Sequence, residues 1–99
     1  MTINEFLQKT NYCGYGRRPR VRCKDGFSVS VQASQYHYCI PRIDSAEKYE
    51  KVELGYPSAA DELITDYAED RIYTDTVYDY VPVEIVDKLI EKHGGIVDL

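Results

Sequence analysis

Three cysteines and one histidine are the soft or borderline ligands that this chain could assemble: Cys13, Cys23, His37 and Cys39. Zinc favours thiolate and imidazole, so the set is worth testing as a metal site. The spacing argues against it, because there is no CxxC knuckle and an odd number of thiols. Reduced, half-buried thiols are the plainer reading, and no metal or cofactor is expected. His37 and Cys39 lie two residues apart and would share a face of a strand, the arrangement of a thiolate–imidazole pair. No third group is spaced to orient that pair. No Walker A, HExxH or GxSxG pattern is present, and Gly14-Tyr15-Gly16 is too short for a dinucleotide fingerprint. The expectation is a protein that is not an enzyme.

Two charged surfaces remain. The run 12–24 (YCGYGRRPRVRCK) interleaves Tyr15 with Arg17, Arg18, Arg20, Arg22 and Lys24. Phosphate contact and base stacking use those residue types, so nucleic acid is one possible partner. A basic strand edge that blocks edge-to-edge pairing is the ordinary alternative. Further on, Asp61, Glu62, Asp66, Glu69 and Asp70 have no basic residue at helical pairing distance. As an exposed acidic face they could dock on a basic channel of another protein and compete there with phosphate.

The formal charge of −5 conceals this split. Residues 1–43 hold seven Lys/Arg against two acids, and residues 44–99 hold five against fifteen. Such a dipole either closes internally, through Arg side chains on acidic helices, or presents two surfaces of opposite sign. Partial internal closure is expected. Ten Tyr against two Phe and no Trp is the other unusual feature. Tyrosine gives apolar area with a hydroxyl that needs a partner, which suits half-buried surfaces and interfaces.

The elements that must position these residues can be read from pattern. At 43% hydrophobic and 29% charged, 99 residues make one ordinary domain spanning 1–99. Arg20–Gln32 reads as a β-hairpin with a three-residue loop, Lys24-Asp25-Gly26. That register sets Cys23 opposite Phe27 and Val21 opposite Val29, with glycine at the αL position. Val31 continues the apolar face. Arg20, Arg22, Ser28, Ser30 and Gln32 form a polar face that calls for water or a partner.

Thr2 and Glu5 make a capping box for a short helix over 2–9, with Ile3, Phe6 and Leu7 inward. Strands are expected near 35–40 and 50–56, and a shorter one at 76–81. A helix near 58–69 is signalled by Ser58 and Asp61, with Leu63 and Ile64 buried. The clearest helix is 82–93, from Pro82 to the αL stop at Gly94, burying Val86, Leu89, Ile90 and His93. Ile96 and Val97 should fold back on its end. His93, at the helix C-terminus, is placed to be charged for structural reasons. The fold class is therefore α+β: a small antiparallel sheet around a hairpin at about 19–32, packed by helices. No segment has the length of a membrane span or the h-region of a signal peptide, so a cytoplasmic setting and no membrane partner are expected.

The segments YGRRPRVRCKDGFSVSVQAS, YHYCIPR, VELGYPS and VYDYVPVEIVDKLIEKHGGI resemble a group of short uncharacterised proteins. These are encoded on prophages and integrative mobile elements of gut Gram-positive bacteria. The resemblance spans most of the chain and implies a genomic setting without transferring any catalytic residue. Small acidic proteins in that setting include inhibitors of host defence nucleases, anti-CRISPR proteins among them, which act by binding. A host or mobile-element protein is then the expected partner.

Overall fold

A computed structural model describes residues 1–10 and 17–97. The chain runs through α1 (Ile3–Lys9), β1 (Val21–Arg22), β2 (Ser28–Gln32), β3 (Lys51–Gly55), a 3₁₀ turn (Thr65–Tyr67), β4 (Val77–Pro82) and α2 (Val83–Lys92). The strands form one antiparallel sheet in the order β1-β2-β3-β4. Its inward side chains, Val21, Val29, Val31, Val52, Leu54, Tyr78 and Val81, share one core with Ile3, Phe6 and Leu7 of α1 and Val86, Leu89 and Ile90 of α2. The fold is α+β.

The hairpin adopts the three-residue loop. Val21 pairs with Val29 and Arg22 with Ser28. The Cys23 amide donates to the Phe27 carbonyl at 2.8 Å, and Gly26 takes φ +97°. Asp25 fixes the loop by accepting the Phe27 N–H at 2.8 Å, a local side-chain bond that competes well in a tight turn. At the chain start, Thr2 and Glu5 form both halves of the capping box. Asp87 of α2 accepts the Ile3 N–H at 2.8 Å, so the two helices are tied where the first has an orphan donor.

α2 follows β4 without a loop and stops where the glycines turn, with Gly94 at φ +95°. The residues beyond it do not simply fold onto the helix end. They lie along the outer edge of β1: the Lys24 amide donates to the Gly95 carbonyl, the Val97 amide to the Arg22 carbonyl, and Ile96 bridges Cys23. The edge of the hairpin is covered in this way.

Two expected elements are replaced by turns. Residues 35–40 are not a strand, and only Ile40 reaches the ladder, by an isolated bridge to Lys51. Local side chains capture the backbone instead. Ser34 Oγ accepts the Tyr36 N–H at 3.0 Å, and the Asp44 carboxylate accepts the Gln35 N–H at 3.0 Å. Residues 58–69 are not an α-helix either; they contain only the 3₁₀ turn. The Ser58 hydroxyl, read as a cap, accepts the Ser28 N–H at 2.9 Å instead. Asp61 accepts the Leu63 N–H, and the backbone bonds that follow are of the shorter i→i−3 type. Ile64 is buried as expected, whereas Leu63 only packs against the core from its margin.

Candidate functional site: the outer face of the sheet

The face of the sheet away from the helices is polar, and much of it finds partners within the chain. Gln32 is buried and exchanges bonds with the Arg18 backbone, its Oε1 accepting the Arg18 N–H at 3.0 Å. Ser28 is buried under Arg20, whose guanidinium donates to Ser28 Oγ and, at 2.6 Å, to the Tyr56 carbonyl. The polar face read in the sequence is therefore partly a second, internal layer.

This changes the standing of the basic run. Arg18 is buried: its Nη1 donates to the Ala33 carbonyl at 2.7 Å and its Nε to the Leu7 carbonyl at 3.3 Å. It ties α1 to the end of β2, so it is a buried structural arginine rather than part of an exposed basic surface, which corrects its assignment there. Arg17, Arg22 and Lys24 are exposed, and Arg20 is half-buried. Tyr15 lies outside the described residues. A cleft of about 360 Å³ lies on the face, with Arg17, Arg18, Arg20, His37, Glu53 and Tyr56 among its walls.

The acidic set is also dispersed. Asp61 is buried, not part of an exposed helical face. Its Oδ2 accepts from His93 Nε2 at 2.9 Å and faces Lys92 Nζ at 3.1 Å. His93 Nδ1 bonds Asp25 Oδ2 at 2.6 Å, and its ring stacks on Phe27 at 3.9 Å. An imidazole that donates from both nitrogens to carboxylates is an imidazolium. Burial opposes that charge, but the bonds to Asp25 and Asp61 outweigh it and hold His93 above its ordinary range. The structural reading of His93 holds, and Asp61 is lost to docking because this clamp consumes it. Glu62, Asp66, Glu69 and Asp70 remain exposed.

The two described thiols lie away from the surface. Cys23 and Cys39 are free and buried, and burial pushes both up. Cys39 Sγ donates to the Ser34 carbonyl while His37 Nδ1 meets Ser34 Oγ at 2.7 Å, so each of the two engages Ser34. Among the described residues no group of His, Cys, Asp or Glu could hold a metal ion. Cys13 lies outside them.

What the sequence reading missed is a bulge. Val52 pairs with Val81 and Leu54 with Tyr78, leaving Asp79 and Tyr80 together opposite Glu53. Such a two-against-one mismatch re-aims side chains, and Tyr80 takes φ +52°, unusual for a bulky residue. Since Val52, Leu54, Tyr78 and Val81 are buried, the bulged residues lie on the outer side. The Tyr80 N–H donates to the Tyr38 carbonyl, and the two rings sit 5.9 Å apart. Arg42 lies over the other ring at 5.2 Å. Tyr36 (79% exposed), Ile40 and Ile43, from the same loop, add exposed apolar area.

Carboxylates sit beside these rings. Burial pushes Glu53 up, with nearby Glu69 adding to the effect. Burial and a hydrogen bond to Glu69 push Asp79 up to about 6. Among the described residues no donor bonds the buried Asp79 Oδ1, as expected of a carboxyl that shares a proton with Glu69. His37 approaches Glu53 at 4.0 Å. Comparison with protein-family models, with curated proteins and with solved structures found no match.

Proposed function

We propose that this chain is a small non-enzymatic binding protein that works by protein–protein contact, through the outer face around Tyr38 and Tyr80. The exposed cluster of Tyr38, Tyr80 and Arg42, ring against ring and guanidinium over ring, carries this reading. Tyrosine and arginine dominate the energetically important centres of protein interfaces. The titratable groups fit a binder better than an enzyme. His93 has both nitrogens committed, and the two described thiols are buried and raised. The resemblance to mobile-element proteins adds a partner class: a component of host defence, such as a nuclease, that would be masked. Exposed Glu62, Asp66, Glu69 and Asp70 would speed encounter with a basic partner rather than set affinity.

A second reading is nucleic-acid binding by the basic residues, with Arg17 and Arg20 lining the cleft and Arg22 and Lys24 exposed on the hairpin. Affinity capture from a nuclease-treated bacterial host lysate separates the two. A stoichiometric protein, lost on Tyr38→Ala with Tyr80→Ala, is expected. Recovery of nucleic acid alone, with a steep salt dependence removed by Arg17→Ala and Arg22→Ala, would overturn the first reading in favour of the second.

A further inference from the structure

We propose that the occupant of this face is a protein segment presenting an arginine or lysine side chain, which seats beside Tyr38 and Tyr80 with its charge on Glu53, Asp79 and Glu69. The inference rests on the protein-binding reading above and names what that surface selects. The bulge opposes Asp79 to Glu53 and sets Tyr80 beside them, so acceptors and an aromatic wall converge. Among the described residues no donor bonds Asp79 Oδ1, and the carboxyl shares a hydrogen bond with Glu69, so two acids meet there with no cation between them. Two carboxyls held together repel when both are ionised, and a cation placed beside the exposed Glu69 would relieve that repulsion. Among the described residues neither Asp79 nor Glu69 makes an ion pair. The cations nearby act on Glu53: His37 at 4.0 Å, and Arg42, which already spends its face on Tyr38.

The chemistry selects the occupant. A guanidinium or ammonium gains from carboxylates and from ring faces together, the second through cation–π attraction. A metal ion does not fit, since no group of ligands among the described residues is arranged for one. Phosphate of a nucleic acid would be repelled by the same carboxylates. A segment with apolar neighbours flanking the basic residue would also cover Tyr36, Ile40 and Ile43, which lie exposed in the adjoining loop. Because Asp79, raised to about 6, takes up a proton as pH falls and a bound cation favours its ionised form, affinity should fall several-fold between pH 7.5 and pH 5. The groups facing that proton are Glu53 from β3, Glu69 after the 3₁₀ turn, and His37 and Arg42 from the loop over them.

The test is selection of displayed random dodecapeptides on the full chain at pH 7.5, with affinities read by fluorescence polarisation and folding of each variant checked by circular dichroism. Selected peptides should carry Arg or Lys beside apolar residues. Glu53→Gln with Asp79→Asn should weaken them about tenfold or more, while Glu84→Gln on α2 should leave them unchanged. Peptides without basic residues that are lost on Tyr38→Ala and Tyr80→Ala would overturn the inference and leave the protein-binding face standing. Peptides indifferent to those tyrosines would overturn both. No selected peptide at all, or a dimer of the chain that the carboxylate variants dissociate, would also overturn it.

Discussion

His93 is the residue whose environment says most about how the chain holds together. It links the hairpin loop through Asp25 to the segment after β3 through Asp61. The signs follow from the shifts. His93 is raised above 6.5, so its contribution is complete below that value and is lost as pH rises through the folded value. Asp25, held down chiefly by the Phe27 amide and then by His93, and Asp61, held down despite its burial by the Leu63 amide, His93 and Lys92, contribute above 3.8 and lose that as pH falls. Asp79 adds a slope of the same sense as His93: raised to about 6, it costs stability as pH climbs from 3.8 through that value. Stability by denaturant titration should therefore be greater at pH 5.5 than at pH 8.5. His93→Gln should shrink that difference and cost about 1–3 kcal/mol at pH 5.5. Asp79→Asn should do the opposite at pH 8, stabilising by about 1–3 kcal/mol while changing little at pH 4. A destabilised Asp79→Asn at pH 8 would mean that the carboxylate has a partner it does not show.

At the scale of elements, legibility followed the range of the deciding interactions. The hairpin, the capping box and α2 were readable because their determinants are local: a glycine at an αL position, a Thr-x-x-Glu spacing, a helical apolar stripe. Residues 58–69 and 35–40 were not, because their nominal signals are spent elsewhere. Ser58 serves the Ser28 amide, Asp61 serves His93 and Lys92, and Asp44 takes the Gln35 amide. None of those distant partners is visible in a periodicity. The bulge was hidden for a related reason, since a two-residue alternation in Val77–Pro82 carries no mark of the extra residue opposite Glu53.

The readable elements give firm predictions. Leu89 is fully buried on α2, and Leu89→Ala should cost about 2–5 kcal/mol by chemical denaturation. A loss below about 0.5 kcal/mol would place that helix face outside the core. The glycines should separate by their surroundings. At Gly26 an added Cβ meets nothing within 4 Å, so Gly26→Ala pays only αL strain, about 1–2 kcal/mol. At Gly94 it would also press on Lys24 Cβ at 3.0 Å, and Gly94→Ala should cost more. Equal losses at the two would contradict the packing of the chain end on the hairpin.

For the molecule as a whole, the charge split does not close in the way the sequence suggested. Arg20 spends donors on Ser28 and the Tyr56 carbonyl, and Arg42 on the Gln35 carbonyl and the Tyr38 ring, rather than on acidic helices. The ion pairs seen among the described residues involve His37, Lys92 and His93. Candidate surfaces of different character thus remain exposed: basic around Arg17, Arg22 and Lys24, acidic around Glu62, Asp66 and Asp70, and aromatic around Tyr36, Tyr38 and Tyr80. The tyrosine excess was legible in the sequence, but which tyrosines stay exposed was not, because Tyr49 and Tyr78 are consumed by the core. Photo-crosslinking in bacterial host cells decides directly among the three. A photoreactive amino acid would replace Tyr36, Glu62 or Arg22, one at a time. A discrete covalent protein adduct from position 36, and none from positions 62 and 22, is the expected result. Adducts from position 62 or 22 alone, whether to protein or to nucleic acid, would contradict the assignment of function to the aromatic face.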